Sequence, residues 1–276
     1  MSVGAHPAEP GASARRDAAL VLKQTRYGLV KTTRNPRVLV FSIFFPILLL
    51  VLFNSIFTSG GDATTKFAGG RIDTDAYFTA GILAYAIMMS SFSTLAIGLT
   101  TRRESGELKR MRGTPMPAWT FITAEVARVV VQIALMALVM MLIGHFAFGV
   151  DLPGDSAVGF VVYVALGTAA MATLGIAITA FLASADAAST VAPFTAVILS
   201  FVSGVFIPVE TLPNWLEEVG RVFPLYHLAE GLQTTLVSGR SGTGLDGGNV
   251  AVLAVWGLAG LLVAARRFRW EPLGRD

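Results

Sequence analysis

The chain has 276 residues, of which 54% are hydrophobic, and a mean hydropathy of +0.65. Only 14% are charged, against about 25% in an ordinary soluble domain, and so little charge cannot cover a water-exposed surface. These values exclude a soluble globular protein and predict a polytopic protein whose main solvent is the bilayer. The sequence has no cysteine, which excludes disulfides, thiolate nucleophiles and cysteine-based metal sites.

The N-terminal segment is polar and basic. Residues 1–12 are predicted to form a disordered tail, and residues 13–37 are predicted to form a cytoplasmic helix that lies on the membrane surface. Ala18, Leu22 and Leu29 recur at helical spacing among basic residues, a pattern that is typical of interfacial amphipathic helices. The alternative is a frayed, solvated tail that only sets the orientation of the protein.

Six apolar segments follow, each close to the length of about 20 residues that a transmembrane helix needs. Their approximate bounds are residues 38–57, 77–99, 119–148, 157–183, 189–207 and 250–265. The predicted fold class is therefore an all-α membrane protein, with a six-span transmembrane domain over residues 38–266 and a cytoplasmic tail over residues 267–276. Small residues crowd the fourth segment, among them Gly167 and Gly175, which indicates close helix packing.

Lysine and arginine are unevenly distributed between the connecting segments. If both termini are cytoplasmic, sixteen basic residues lie inside and four lie outside, as the positive-inside rule requires. We therefore predict a multi-pass protein of the inner or plasma membrane with both termini in the cytoplasm. The net charge of +3 then reflects topology, and nucleic acid is not expected as a partner.

The loop of residues 101–117 mixes basic, acidic and apolar side chains. The positive-inside rule explains its basic residues, but it does not explain the acidic residues, the spacing of Leu108 and Met111, or the prolines that end the segment. These features favour a short charged helix that docks on a soluble partner. The candidate docking residues are Arg103, Glu104, Gly106, Glu107, Leu108, Arg110, Met111 and Arg112.

The segment of residues 208–248 is interrupted by prolines and contains two apolar stretches that are too short to cross a bilayer. Two short helices joined at Pro224 predict a re-entrant hairpin that enters the outer leaflet, and the alternative is an amphipathic loop on the outer surface. His227, Glu230 and Gln233 share one face of the second stretch, where we expect a polar surface patch. The residues singled out in this segment are Pro208, Pro213, Trp215, Pro224, His227 and Glu230.

Glu125 and Arg128 form an ionisable pair within the third predicted span, and Gln132 extends the same helical face. Charges inside a membrane commonly line a substrate path or a gate. The pair also lies near the cytoplasmic end of its helix, where an interfacial ion pair is the alternative. The histidines lack the spacing of metal ligands, and the phosphate-binding pattern G-x-x-x-x-G-K-[ST] is absent, so we expect no metal and no cofactor in this chain.

Three features together resemble a known family of membrane proteins. The first is a basic helix before six spans, and the second is the stretch Arg103-Glu104-Ser105-Gly106-Glu107-Leu108-Lys109-Arg110-Met111-Arg112-Gly113-Thr114-Pro115. The third is the series Ser203-Gly204-Val205-Phe206-Ile207-Pro208, Leu212-Pro213-Asn214-Trp215-Leu216 and Pro224-Leu225. Over roughly residues 13–270, this order resembles type-2 (ABC-2) ABC transporter permeases of the daunorubicin-resistance exporter kind. Gln233 stands in a region where many relatives place an arginine.

The resemblance implies a transporter permease subunit without enzymatic activity of its own, with ATP and Mg²⁺ bound by a separate ATP-binding cassette ATPase that docks on the charged loop. It also implies export and a second permease chain, either another copy or a paralogue. Because the spans offer few polar groups, we expect a hydrophobic drug-like or lipid-like substrate, as in multidrug efflux and antibiotic resistance. Export of polysaccharides or lipid-linked glycans is the first alternative, and a stand-alone ion-coupled transporter is the second.

Overall fold

The computed structural model describes residues 10–34, 40–57, 64–68, 70–113, 118–239 and 241–267, which are mostly helical. The α-helices are α1 (Pro10–Thr33), α2 (Phe45–Phe57), α3 (Thr74–Ile87), α4 (Thr94–Glu104), α5 (Glu107–Arg112), α6 (Ala118–Phe148), α7 (Ala157–Ile178), α8 (Ala185–Val202), α9 (Asn214–Val222), α10 (Pro224–Thr235) and α11 (Gly247–Arg267). The π-helix Val40–Phe44 leads into α2, and the π-helix Met88–Ser93 joins α3 to α4. Strands β1 (Thr64–Phe67) and β2 (Gly70–Asp73) form an antiparallel hairpin before α3.

Five helical stretches within these residues are long and apolar enough to cross a membrane. They are Thr74–Glu104, Trp119–Phe148, Gly154–Ile178, Ala185–Val202 and Gly247–Arg267. These stretches coincide with the second to sixth spans that the hydropathy pattern predicts. The chain is therefore a mostly helical, multi-pass membrane protein.

The first predicted span is also helical, but it is short. Its α-helical part, α2, has 13 residues, which corresponds to about 20 Å at 1.5 Å per residue. The hydrocarbon core of a bilayer is about 30 Å thick, so α2 by itself does not meet the length requirement. Residues 38–39 lie outside the described part of the chain, and a sixth crossing stays a prediction.

The stretch that runs from α3 through the π-helix Met88–Ser93 into α4 is the centre of the fold. Helix α3 contacts α2, α6, α7 and α10. Nearly all of its side chains are buried, and Ile82 and Leu83 have no exposed surface. A helix can be apolar on all sides in this way because protein surrounds it.

Glycines on α7 allow neighbouring backbones to approach closely. A Cβ atom on Gly175 would lie 2.7 Å from the carbonyl oxygen of Phe92 and 2.8 Å from that of Ser91, both in the π-helix Met88–Ser93. Gly167 faces the side chain of Leu228 on α10 in a similarly tight contact. The prediction that small residues serve helix packing in the fourth span is confirmed.

Helix α1 packs against α6, where the Thr25 hydroxyl donates to the Ala124 carbonyl oxygen at 3.3 Å. On the outside of α1, Leu22 is 72% exposed. The helix begins at Pro10, within the predicted tail, of which residues 1–9 lie outside the described part of the chain. Its position on the membrane surface stays a prediction, which the exposed leucine favours.

The segment between α8 and α11 contains the short helices α9 and α10. They are joined at Phe223, whose backbone is extended (φ −91°, ψ 144°). Pro224 occupies the first turn of α10, where the fixed φ of proline suits a helix and its missing N–H is not needed. Helix α10 contacts α3, α7 and α11, and Leu228 and Leu232 on it have no exposed surface. The entry of this helix pair into the outer leaflet stays a prediction.

Candidate functional site

The charged loop forms a tight turn between α4 and α5. Gly106 in this turn has φ +69°, a left-handed conformation that costs an ordinary L-residue about 1–2 kcal/mol. The Gly106 carbonyl oxygen accepts from the Arg110 amide at 3.1 Å and so begins α5. A glycine at this position therefore lets a second helix start with only two residues between it and the end of the first.

Arg103 and Glu104, at the end of α4, hold the connection between α7 and α8. The Arg103 guanidinium is 2% exposed; it donates through Nη1 to the Thr179 carbonyl oxygen at 2.8 Å and through Nη2 to the Leu182 carbonyl oxygen. Glu104 Oε1 accepts from the Ala185 amide at 2.9 Å. A cation after α7 and an anion at the start of α8 both match the helix dipoles. Arg103 is thus buried inside the chain, which corrects its predicted place on a docking surface.

Leu108 is the main correction to the predicted docking helix, because it has no exposed surface. It lies in an apolar cluster from α4, α6, α7 and α11 that contains Leu95, Leu99, Phe121, Ala172, Ile176 and Ala264. Met111 packs against the same cluster and is only partly buried. Burial of a leucine side chain stabilises a fold by roughly 1.5–3 kcal/mol. Leu108 therefore attaches α5 to the membrane domain and is not an anchor for a partner.

The outward face of α5 is charged. Lys109 and Arg110 are exposed, while Glu107 is partly buried. The side chain of Arg112 and all of residues 114–117, which include the predicted terminating prolines, lie outside the described residues. Docking of a partner on this loop stays a prediction, and the geometry restricts it to the charged face.

Glu125 lies between two arginines near the start of α6. Its Oε1 accepts from Arg102 Nη1 at 2.5 Å, and its Oε2 accepts from Arg128 Nε at 2.9 Å. Arg128 Nη1 also donates to Gln132 Oε1 at 3.2 Å and to Thr32 Oγ1 at 3.3 Å. The structure therefore brings together the three predicted residues of this helix face, and the network joins α1, α4 and α6.

The network is almost sealed from solvent. Glu125 is 7% exposed, Arg128 is 8% exposed and Gln132 is 9% exposed. Both oxygens of the carboxylate are occupied by charge-assisted hydrogen bonds, which offset much of its desolvation. A cavity of about 290 Å³ adjoins the network between α1, α4 and α6, and its lining includes Lys31 and Arg102. A gating role and a purely interfacial role both stay predictions for this group.

Two apolar clefts open between the spans. One, of about 330 Å³, lies between the π-helix Met88–Ser93, α7, α8 and α11, and its lining includes Phe92, Phe181 and Trp256. The other, of about 500 Å³, lies between α6 and α7. Apolar concave surfaces of this size can take hydrocarbon or aromatic groups.

Polar residues on α10 are held by hydrogen bonds to neighbouring segments. His227 Nδ1 lies 2.6 Å from Asn249 Oδ1, and His227 Nε2 lies 2.8 Å from the Arg221 carbonyl oxygen. Glu230 forms a hydrogen bond with Asn249, but burial is the larger influence and raises the pKa of Glu230 above its usual range. Gln233 is 2% exposed, and its Nε2 donates to a backbone carbonyl oxygen. His227 and Glu230 share the partner Asn249, and Glu230 and Gln233 line the same cavity.

The other residues singled out in the outer segment shape its backbone. Pro208 precedes the 3₁₀ turn Val209–Thr211, and Pro213 precedes the first residue of α9. Trp215 on α9 is 66% exposed. Among the residues that the structure describes, no group of three or more histidine or acidic side chains could hold a metal ion.

Sequence reasoning missed the distant partners of these side chains. Thr32 contacts Arg128 from 96 positions away, and Thr179 contacts Arg103 from 76 positions away. No periodicity in the sequence links such positions. One signal could have pointed to Thr179. An arginine that is buried beside an apolar helix end needs hydrogen-bond acceptors for its guanidinium group.

Comparison with known proteins gives consistent matches. Residues 21–237 match the family model described as ABC-2 type transporter. The chain is also similar to YvfS of Bacillus subtilis (strain 168), a transport permease by name, with 22% identity over 209 residues. That alignment covers 76% of this chain and 82% of YvfS. The matched residues of the family model include the charged loop, the Glu125 network and helices α9 and α10.

Proposed function

Because the chain belongs to the ABC-2 type transporter family, we propose that this permease subunit works in an ATP-driven exporter of hydrophobic, drug-like or lipid-like substrates. In this proposal ATP and Mg²⁺ are bound by a separate ATP-binding cassette subunit. A second permease chain, either another copy or a paralogue, completes the translocation path. Both termini of each permease chain are cytoplasmic, so the charged loop faces the ATPase.

The observation that carries the proposal is the two-sided construction of α5. Its outward face exposes Lys109 and Arg110, while Leu108 on the other side is fully buried against α4, α6, α7 and α11. A displacement of α5 by a docked ATPase therefore acts on four helices at once. Arg103 and Glu104 add α8 to this group, because they bind the connection that leads into it.

The substrate class is supported by the apolar clefts. The clefts of about 330 Å³ and about 500 Å³ are lined almost entirely by apolar side chains. Such linings suit hydrocarbon and aromatic groups, whereas a polysaccharide needs hydrogen-bonding partners along its path. This difference favours a hydrophobic substrate over the glycan alternative.

Charge reversal on the outward face of α5 tests the coupling. The chain is expressed together with a candidate ATP-binding cassette ATPase, and the double variant Lys109→Glu/Arg110→Glu is compared with Lys66→Glu on the exposed β-hairpin. We expect co-purification of the ATPase to fall about tenfold or more in the double variant, because like charges facing each other at an interface disfavour binding. The hairpin control should bind normally. Normal ATPase binding and normal export by the double variant at matched membrane levels would contradict the docking proposal.

Direction and assembly need separate measurements. Inverted membrane vesicles that contain the complex should accumulate an amphiphilic fluorescent dye when ATP is added, because export from the cell is uptake into such vesicles. Native mass measurement should find two permease chains in the active complex. Accumulation only by right-side-out vesicles, or an active complex with one permease chain, would overturn the corresponding part of the proposal.

A further inference from the structure

A polar cavity lies at the other end of the Thr74–Glu104 stretch from the charged loop. It has a volume of about 270 Å³ and is lined by the β-hairpin, the start of α3, the 3₁₀ turn Val209–Thr211, α9 and α10. We call it the outer cavity. Pockets that hold whole ligands usually measure about 300–1,000 Å³, so the outer cavity has the size of a site for a head group.

The charged lining of the outer cavity is mainly acidic, with Glu210, Glu217 and Glu230 against Arg221. Arg221 Nη2 donates to Glu217 Oε1 at 2.6 Å, so these two charges compensate each other. Glu210 accepts a hydrogen bond from the Ala68 amide at 3.0 Å. Glu230 forms a hydrogen bond with the neutral side chain of Asn249, and Arg221 also acts on it electrostatically. Burial raises the pKa of Glu230, and a cation beside the carboxylate would favour its charged form. With three carboxylates against one guanidinium, the lining is formally acidic.

An independent observation comes from Ser203 in the lining of the same cavity. Ser203 is 1% exposed, and its Oγ has no hydrogen-bond partner within the described residues. The carbonyl oxygen of the neighbouring Gly204, by contrast, accepts two hydrogen bonds. They come from the Tyr77 hydroxyl at 2.6 Å and from Gln233 Nε2 at 3.1 Å. A buried hydroxyl without a partner is unfavourable. An N–H group of a ligand in the outer cavity would satisfy it.

The lining identifies the chemistry of the cation. The carboxylates do not form a cluster that could hold a metal ion, as judged over the residues that the structure describes. Aromatic side chains, among them Phe67, Tyr77 and Tyr226, share the lining, and aromatic faces attract organic cations. A protonated amine fits this combination of carboxylate, hydroxyl and aromatic groups.

The neighbouring apolar cleft indicates what the amine is attached to. Phe223, Pro224 and Leu225 line the apolar cleft of about 330 Å³. Arg221, two positions before Phe223, and Tyr226, directly after Leu225, line the outer cavity. The beginning of α10 thus separates a site for a charged group from a site for apolar groups. An amphiphile presents these two chemistries within one molecule.

We propose that the outer cavity binds the protonated amine of an amphiphile, with Glu210 and Glu230 balancing its charge and the Ser203 hydroxyl accepting one of its N–H groups. This assignment rests on the proposed function, because it defines cationic amphiphiles as the exported substrate class. The amine belongs either to a soluble amphiphilic compound or to an aminophospholipid head group. The recognition chemistry is the same for both sources.

Binding to the purified permease alone tests the assignment. The chain is placed in phosphatidylcholine nanodiscs and titrated with a dansyl-labelled alkyl chain that ends in a primary amine, and with the same probe after acetylation of the amine. We expect the amine probe to bind about tenfold more tightly than the neutral probe, as is typical for a charge-assisted contact. Glu230→Gln should remove this preference, and Ser203→Ala should reduce it. The control Glu218→Gln removes an exposed carboxylate on α9 outside the cavity and should keep it.

Equal affinity of the wild-type chain for the two probes would overturn the assignment, as would equal losses in Glu230→Gln and Glu218→Gln. If Glu230→Gln fails to assemble, Ser203→Ala decides, and an unchanged amine preference in that variant rejects the site. Phosphatidylethanolamine nanodiscs distinguish the sources, because displacement of the probe identifies a lipid amine and retention identifies a soluble one. The assay contains no ATPase, so a negative result here leaves the exporter proposal intact, and a failure of ATP-driven export leaves a positive binding result intact.

Discussion

Replacement of Glu125 by glutamine should loosen the attachment of α4 and α1 to α6. The Glu125 carboxylate accepts from Arg102 at 2.5 Å and from Arg128 at 2.9 Å, and its side chain is only 9% exposed. Glutamine keeps the size of the side chain but turns one acceptor into an N–H₂ donor that faces a guanidinium. Arg128 would then lose its charged partner and keep neutral ones, among them Gln132 and Thr32.

The expected cost follows from burial. Removal of one partner from a buried ion pair costs about 3–5 kcal/mol. The Arg102 side chain is 20% exposed and adjoins the cavity of about 290 Å³, so its charge can be partly solvated after the change. The lower end of the range, about 3 kcal/mol, is therefore the expected loss for Glu125→Gln.

The chain offers a matched control in Glu107→Gln. Glu107 faces the same arginine, but its Oε1 lies 3.9 Å from Arg102 Nε and its side chain is 40% exposed. Exposed pairs of this kind contribute about 0–1 kcal/mol. Thermal unfolding in nanodiscs at one scan rate should lower the midpoint by about 6 °C or more for Glu125→Gln and by less than about 2 °C for Glu107→Gln.

The ion-pair explanation has a direct test in a double-mutant cycle. Arg102→Met alone removes one hydrogen bond to Glu125 and leaves the carboxylate paired with Arg128. If the pair accounts for the loss, the double variant Arg102→Met/Glu125→Gln should lose clearly less than the sum of the two single losses. Additive losses, or equal midpoints for Glu125→Gln and Glu107→Gln, would refute the reasoning.

Three further expectations concern single positions. Gly106→Ala should lower the unfolding midpoint by about 2–4 °C, because alanine is strained at φ +69°. The control Gly113→Ala, at φ −74°, should have little effect. Equal unfolding midpoints for the two variants would contradict this expectation. Gly175→Ala should destabilise more strongly, since its Cβ would lie 2.7 Å from a backbone oxygen, and Gly98→Ala, with nothing within 4 Å, is the control that must remain stable. An impermeant maleimide applied to intact cells should label Ser241→Cys and not Gly113→Cys, and the reverse pattern would reject the predicted topology.

The spans were predictable because hydropathy is a local property of the sequence. The stretches Trp119–Phe148 and Gly247–Arg267 contain 18-residue segments with mean hydropathies of 2.5 and 2.0, and few environments other than a bilayer can solvate such helices. The break between α9 and α10 was predictable for a similar reason, since Pro224 begins a helix more readily than it continues one. The length of the first span was harder to predict, because hydropathy does not distinguish the π-helix that precedes α2 from an α-helix.

The placement of the charged loop was not predictable from local properties. Its sequence resembles an exposed docking helix, yet Leu108 is buried and Arg103 is 2% exposed. The acceptors that make the burial of Arg103 possible are carbonyl oxygens at the end of α7, 76 and 79 positions along the chain. A carbonyl oxygen is present in every residue, so only the folded arrangement of the helices shows which ones are available.

The two ends of one continuous helical stretch connect the sites described above. Tyr77, near the start of Thr74–Glu104, lines the outer cavity and donates to the Gly204 carbonyl oxygen at 2.6 Å. Glu104, at its end, binds the start of α8 beside the charged loop. Between them lies the π-helix Met88–Ser93, a segment type that is less regular than an α-helix and occurs often at functional sites. If α5 is the docking element and the outer cavity the substrate site, as proposed above, then a movement of α5 would reach the cavity through this stretch, either as a rigid rod or by bending at the π-helix. Both routes pass the backbone that Gly175 contacts.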